Sequence, residues 1–306
     1  MSSFEILKGW ETGQIAAIMN KVSGGDREKL EALLRDEFDV QLIEKVLKFF
    51  DKNGRRIPKG LQAAVYDSNK DFHLVQPKLD SIGKYADRLV RFQFAFGAGP
   101  VMSAADFEGR SRELIGEIKN NRNLANLLNG VYLPIILPKL GDISDYGKTL
   151  EGVFLPAVKS SYERQFPDRK FYNYQENELV NNVSIVSGTR HEKLGEKMKH
   201  DSLVAIYFPN SLQGFSILAS REQISSLPEL LLSGGFDTAA AITMYPDILA
   251  RDWNTPGYDL SALSWQSPGV SLCFEAGDDR LHFGGRGDLA DADGICSSGL
   301  LFLGSV

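Results

Sequence analysis

Apolar residues recur at helical spacing through most of the first 130 residues of the chain. The spacing predicts helices over Thr12–Val22, over the segment that follows a capping Asp26, and over Val40–Phe50, which Gly54 ends in a left-handed turn. Two short strands are predicted around Asp67–Lys70. Helical spacing then resumes over three more segments: Ser81–Phe96, Ala104–Lys119 and Asn121–Leu128, the last closed by Gly130. These elements predict a mainly helical domain over residues 1–130.

The pattern changes after residue 130, where short apolar runs alternate with helical segments. The apolar runs predict four strands: Val131–Leu137, Val183–Val186, Leu203–Phe208 and Phe215–Ala219. Helical spacing predicts four helices: Tyr146–Phe166, His191–His200, Thr238–Met244 and Asp247–Ala250. The end of the chain holds short strands only: Leu263–Gln266, Ser271–Ala276, Arg280–Phe283 and Leu300–Leu303. Helices first and paired strands last predict an α+β fold, with a second domain over residues 131–306.

Composition narrows the class of protein. The 306 residues are 43% hydrophobic and 24% charged, which is typical of a globular protein with a sizeable core. A net charge of -6 disfavours a nucleic-acid binder. No apolar run approaches the length of a membrane span, and the N-terminus lacks the pattern of a secretory signal, so no membrane partner is expected. Two cysteines favour a reducing compartment, and the location stays open between a cytoplasm and a virion.

Known catalytic and metal-binding motifs are incomplete in this sequence. His191-Glu192 resembles the start of a zinc-protease helix, but Gly195 stands where the second histidine is required. Asp51 begins a calcium-loop-like stretch in which Arg55 replaces an oxygen ligand. The glycine-rich pieces lack the Gly-Lys-Ser/Thr ending of a phosphate loop, and Arg286-Gly287-Asp288 matches an adhesion tripeptide only by its three letters. We therefore predict no metal and no cofactor.

The last forty residues differ in kind from the rest of the chain. They hold eight of its 29 glycines and one glutamate, and they lack Lys, Met, Gln, Trp, Asn, Tyr and Thr. A period of two runs through this segment, so one set of side chains should face a core and the other should face outward. The predicted inward frame is apolar: Leu272, Phe274, Leu281, Phe283, Leu289, Leu300 and Phe302.

The outward and loop positions carry an unusual set of side chains. They are predicted to form a ligand-binding surface: Gly269, Val270, Cys273, Gly277, Asp278, Asp279, His282, Gly284, Gly285, Gly287, Asp288, Asp293, Gly294, Ile295 and Cys296. Glycine and aspartate are poor residues for exposed strand positions, where Thr, Tyr, Lys and Arg are favoured. Two interpretations stay open. The segment is either a Gly/Asp-rich loop region with weak calcium binding, or its outward positions are not set by folding at all.

The second interpretation has a known parallel, because the segment resembles the variable region of variable proteins from diversity-generating retroelements. The resemblance implies that AAY codons become NNY codons, which never encode Lys, Glu, Gln, Met or Trp, and all fifteen outward positions obey that restriction. It also implies a C-type-lectin fold, with Trp265 and Ser297–Phe302 as fixed flanks of a variable region at about 267–302. Arg280 and Arg286 are interpreted as scaffold charges.

Three functions from different classes follow from these patterns. The first is a non-enzymatic protein that binds an unknown protein or other macromolecular ligand, polar or basic in character, through its C-terminal surface. The second is an enzyme with a dispersed active site, although His73, His191, His200 and His282 lie far apart in the sequence and no spacing points to a cluster of them. The third is a structural or assembly protein, a homo-oligomer formed through the helical part.

Overall fold

The computed structural model describes residues 27, 28, 31, 74–99, 101–266 and 269–304. By its internal packing the chain divides into two compact units, Met1–Leu47 and Lys48–Val306, and the elements described below belong to the second. Residues 27, 28 and 31, in the helix predicted after Asp26, are helical. The other helices and strands predicted before residue 74, the turn at Gly54 and His73 lie outside the described residues.

Two amphipathic helices, α1 (Ile82–Phe96) and α2 (Ala104–Asn120), come first. Gly97 ends α1 in the left-handed conformation that an L side chain rarely adopts. A capping box begins α2, in which the Ser103 hydroxyl accepts the Asp106 N–H and the Asp106 carboxylate accepts the Ser103 N–H. Both helices confirm the sequence prediction to within one residue.

The next segment follows the predicted order with two local differences. The helix predicted at Asn121–Leu128 is a turn followed by a 3₁₀ helix at Ala125–Asn129, and β1 (Leu133–Leu137) comes next. The long predicted helix consists of α3 (Tyr146–Thr149), a π-helical turn (Leu150–Phe154) and α4 (Leu155–Gln165). Pro156 has no N–H for the carbonyl four residues earlier, which accounts for the break in the α-helical ladder.

The remaining elements alternate between helix and strand. They are β2 (Lys170–Asn173), β3 (Val183–Ile185), α5 (Glu192–Met198), β4 (Leu203–Gln213), α6 (Ile217–Ile224), β5 (Leu231–Leu232), α7 (Gly235–Met244), α8 (Pro246–Leu249), β6 (Gly257–Asp259), β7 (Leu263–Trp265), β8 (Ser271–Ala276), β9 (Arg280–Arg286) and β10 (Cys296–Phe302).

One predicted strand is wrong. The segment Phe215–Ala219 begins helix α6, because the Ser216 hydroxyl accepts the Ala219 N–H and caps the first turn. Strands β2, β5 and β6 have no counterpart in the sequence prediction.

An eight-stranded mixed sheet forms the centre of the unit, in the order β1-β4-β10-β6-β8-β9-β2, with β5 also paired to β10. The C-terminal strand β10 lies inside it, antiparallel to β4 and parallel to β6. Strands β8 and β9 form an antiparallel hairpin, and β2 pairs parallel with β9 at one edge. A separate two-stranded sheet joins β3 to β7.

The fold is mixed α+β, with helices in the N-terminal half and a sheet-rich C-terminal part, as the sequence predicts. One continuous hydrophobic core contains Phe92 and Phe107 from the first two helices together with Phe208, Phe274 and Phe302 from the sheet. The boundary predicted at residue 130 stays a prediction. No described helix is long and apolar enough to cross a membrane.

Candidate functional site

The β8–β9 hairpin has an apolar inner side and a polar outer side. The predicted inward frame is confirmed, since Leu272, Phe274, Leu281 and Phe283 are buried in the core. The alternate positions pair across the hairpin, Cys273 with Gly284, Glu275 with His282 and Ser271 with Arg286. Neighbouring strands extend the outer side, because Tyr172 pairs with His282 and Asp259 pairs with Cys273. We call this surface the polar face and define it by Tyr172, Tyr174, Asp259, Cys273, Glu275, His282, Gly284 and Arg286.

Two tyrosines and an imidazole form one end of the polar face. Tyr172 and Tyr174 are 45% and 56% exposed, and their ring centroids lie 6.2 Å apart. The Tyr174 ring is 5.3 Å from the His282 ring, and His282 Nε2 lies 3.4 Å from the Glu275 carboxylate. The bond to His282 lowers the pKa of Glu275, so this carboxylate is ionised at neutral pH.

Arg286 organises the other end of the polar face. Its guanidinium lies 3.2 Å from Asp259 and 3.7 Å from Asp293, and it donates a 3.0 Å hydrogen bond to Cys296 Sγ. Asp259 is only 1% exposed, and burial raises its pKa to about 7 despite the neighbouring arginine. The interpretation of Arg286 as a scaffold charge agrees with this geometry, since the guanidinium holds three strands and a loop together.

Neither cysteine is placed as a nucleophile. Both are free thiols, and burial raises the pKa of Cys273 to about 12 and raises that of Cys296 as well. The thiolate is the reactive form of cysteine, so raised pKa values keep both side chains in the inert thiol form at neutral pH.

The fifteen residues predicted to face outward divide into three groups in the structure. The exposed ones are Gly269, Asp278, Asp279, Gly285, Gly287, Asp288 and Ile295. The half-buried ones are Val270, Cys273, Gly277, His282 and Asp293. The remaining three, Gly284, Gly294 and Cys296, are buried, so the exposure predicted for them is wrong, although Gly284 does lie on the outer side of the hairpin beside Cys273. Gly285 pairs with the buried Leu272 and lies on the inner side, so its outward placement is wrong. Cys296 is covered because Arg286 lies against it and Gly257 leaves room beside it.

Several of these fifteen residues have a role in folding. A Cβ on Gly285 would lie 2.6 Å from a ring carbon of Trp265, which only glycine avoids. Asp288 has a positive φ of 49°, and its carboxylate accepts the Ala290 N–H. Asp293 accepts the Ile295 N–H in the same kind of turn and also pairs with Arg286. The sequence interpretation that folding does not set the outward positions therefore fails at these three.

A second polar cluster lies in the core, around the N-terminus of α7. The Tyr146 hydroxyl accepts the N–H groups of Gly235 and Phe236 and bonds His191 Nε2 at 2.8 Å. His191 Nδ1 lies 3.2 Å from the Leu232 carbonyl, so Nδ1 carries the proton and Nε2 accepts from Tyr146. Burial lowers the pKa of His191, which keeps the ring neutral. Both side chains are buried, so this cluster stabilises the helix start out of reach of a substrate.

Metal-binding geometry is absent from the part of the chain that the structure describes, where no three or more His, Cys, Asp or Glu side chains converge on a common point. His191 is buried and His200 is exposed, so the two do not face one ion. The aspartates that a calcium loop would use bond backbone amides instead at Asp288 and Asp293.

Sequence reasoning missed Tyr172, Tyr174, Glu275 and Asp259 as members of the polar face. Tyr172 and Asp259 lie on strands that it did not predict, and the pairing of β2 with β9 joins segments more than a hundred residues apart. The period of two in the sequence identifies which side chains share a side of one hairpin, but it carries no information about the neighbouring strands.

Comparison with known proteins gives no relative for this chain. No protein-family model, no curated protein and no solved structure matches it.

Proposed function

We propose that this chain is a non-enzymatic ligand-binding protein whose binding surface is the polar face. The observation that carries the proposal is the division of the β8–β9 hairpin into two sides. The inner side is packed into the core, whereas the outer side carries the partly exposed polar groups of Glu275, His282 and Arg286, next to the exposed Tyr172 and Tyr174. Substitutions at the partly exposed positions of the outer side, away from the Asp259–Arg286 pair, therefore change what the protein binds at little cost to its fold.

We further propose that a retroelement diversifies part of this surface. The support is the restriction of the fifteen residues to types that NNY codons encode. The structure narrows the proposal, because Gly285, Asp288 and Asp293 have folding roles that explain their identity without diversification. The positions that best support the proposal are the nine that are neither buried nor given such a role: Gly269, Val270, Cys273, Gly277, Asp278, Asp279, His282, Gly287 and Ile295.

The scaffold in this proposal is a C-type-lectin-like domain near the C-terminus. It is supported by the order of helices before strands and by a terminal hairpin whose inner side is apolar. The ligand is an unidentified macromolecule with polar or basic character, since the carboxylates of Glu275, Asp278 and Asp279 lie at or near the surface of this hairpin.

Sequencing many copies of the gene from one source population tests the diversification. We expect substitutions to concentrate at the nine positions named above, while the buried Leu272, Phe274, Leu281 and Phe283 stay constant. A near-repeat of the coding DNA for residues 267–302, with adenines at the mismatched sites and a reverse transcriptase gene beside it, is the matching genomic signature. Equal substitution rates at surface and frame positions would contradict the proposal.

A further inference from the structure

Two exposed tyrosines stand side by side at the edge of the main sheet. Tyr172 lies on β2, the last strand at that edge, and Tyr174 follows one residue after the strand, still bonded through its N–H to the Phe283 carbonyl. Their rings are nearly parallel, with 14° between the planes. Large exposed aromatic rings on a rigid strand are costly to leave in water and are common anchors of protein interfaces.

The tyrosines cannot belong to the diversified set, and neither can the carboxylate beside them. Both rings lie about a hundred residues before the variable region. Glu275 lies inside that region, but no NNY codon encodes glutamate. The three side chains therefore form a fixed part of the polar face, next to His282, which the codon rule allows to change.

Glu275 gives this fixed part a negative charge. One carboxylate oxygen faces His282 Nε2 at 3.4 Å, and the side chain is 46% exposed. The exposed Asp278 and Asp279 lie in the turn of the same hairpin. The cations nearby are Arg280, which lies 3.3 Å from Asp279, Lys170 at the start of β2, and Arg286, which lies against Asp259 and Asp293.

We propose that Tyr172, Tyr174 and Glu275 form a fixed subsite for an arginine or lysine side chain of a protein partner. The ring faces attract a cation, and the ionised carboxylate completes the charge pair. The variable positions around the subsite then select among partners that all present a basic residue. This inference rests on the proposed function, because it names the partner chemistry of the same face.

Selection from a random twelve-residue peptide library on the full-length protein tests the proposal. We expect the bound peptides to be enriched in Arg and Lys. We expect a selected peptide, labelled and titrated by fluorescence anisotropy, to lose at least about tenfold in affinity against the Tyr172→Ala/Tyr174→Ala double variant, and a similar factor against Glu275→Gln.

Phe94→Ala is the matched control, because Phe94 is 54% exposed on helix α1 and does not belong to the polar face. It should leave the peptide affinity unchanged, and thermal melts should show that all variants are folded. The proposal is overturned if no peptide is selected, if the selected peptides lack basic enrichment, or if the tyrosine variant binds them normally. It is also overturned if the tyrosines are needed instead for binding to a panel of neutral glycans.

Failure of this inference and failure of the diversification are separable. Peptide binding that depends on the tyrosines, combined with invariant gene copies, would support the subsite and contradict diversification. Variable gene copies combined with tyrosine-independent binding would support diversification and contradict the subsite.

Discussion

Adjacent glycines on strand β9 point to opposite sides of the sheet and stand in different environments. A Cβ on Gly284 would meet His282 and Tyr174 at 3.9 Å, an ordinary contact distance. A Cβ on Gly285 would lie 2.6 Å from the Trp265 ring, which is held by a hydrogen bond from Nε1 to the Glu178 carbonyl. Both positions are glycine, but the structure requires glycine only at position 285.

Gly285→Ala should therefore destabilise the protein by roughly 1–3 kcal/mol through overpacking, whereas Gly284→Ala should change stability by less than about 0.5 kcal/mol. Urea unfolding of the two variants measures the difference. The Trp265 emission spectrum should also shift in Gly285→Ala alone. Equal losses in both variants would show that Gly284 is fixed by packing as well.

Buried Asp259 makes stability depend on pH. Burial raises its pKa to about 7 from an ordinary value of 3.8. The folded protein thus keeps a proton that the unfolded chain releases between these values. Its contribution is fully present below pH 4 and is lost as the pH rises towards 7, at no more than about 1.4 kcal/mol per pH unit.

Asp259→Asn should remove this dependence, so the variant should gain stability relative to the parent between pH 5 and pH 7. Thermal melts across that range measure the gain. Asp278→Asn, at an exposed position in the hairpin turn, is the control, and its melting temperature should change with pH as that of the parent does. A constant difference between Asp259→Asn and the parent would show that the buried carboxyl does not titrate in this range.

Elements with strong local signals were predictable from the sequence, and elements defined by distant partners were not. The predicted helices at Ser81–Phe96 and Ala104–Lys119 rest on apolar spacing and local capping, and the structure confirms them. The segment Phe215–Ala219 is apolar enough for a strand, but the Ser216 cap decides for helix. Strand β6 has only three residues, and it forms because β8 and β10 pair with it on either side. No local sequence pattern reveals this pairing.

The first two amides of helix α7 are bonded by the hydroxyl of a residue that lies far away in sequence. Tyr146 accepts two N–H groups there and donates to His191, and a Cβ on Gly234 would lie 2.5 Å from His191 Nε2. The N-cap residue of α7, Gly234, has no side chain to accept these amides, so the tyrosine of a distant segment acts as the cap. Sequence spacing gives no signal for such a cap.

Tyr146→Phe should cost roughly 2–4 kcal/mol, because it leaves two amides and one imidazole nitrogen buried without a partner. Chemical denaturation measures the loss. Tyr172→Phe, the same change at an exposed ring, should cost almost nothing and serves as the control. A neutral result for Tyr146→Phe would mean that water replaces the lost hydroxyl.

At the scale of the whole molecule, the predicted boundary between two domains can be compared with the packing of the chain. The sequence predicts a boundary at residue 130, where the helical pattern ends. In the structure, residues on both sides of that position share one core, and Arg88 on helix α1 reaches the second half directly. Its guanidinium bonds both oxygens of Asp247, at 2.6 and 2.9 Å, and the Met244 carbonyl at 2.9 Å, and it lies 4.4 Å from the Tyr245 ring centroid.

Arg88→Ala therefore tests whether residues 74–304 unfold as one cooperative unit. The change should cost roughly 2–4 kcal/mol, because it leaves the partly buried Asp247 carboxylate without its partner. If the unit is cooperative, hydrogen exchange should accelerate by a similar factor, roughly 30-fold or more, in peptides from α1 and in peptides from the β8–β9 hairpin. A separate domain beginning at residue 131 would confine the acceleration to α1 and α2. Arg110→Ala, which breaks a surface ion pair within α2, is the control and should leave both regions protected, since such pairs contribute little.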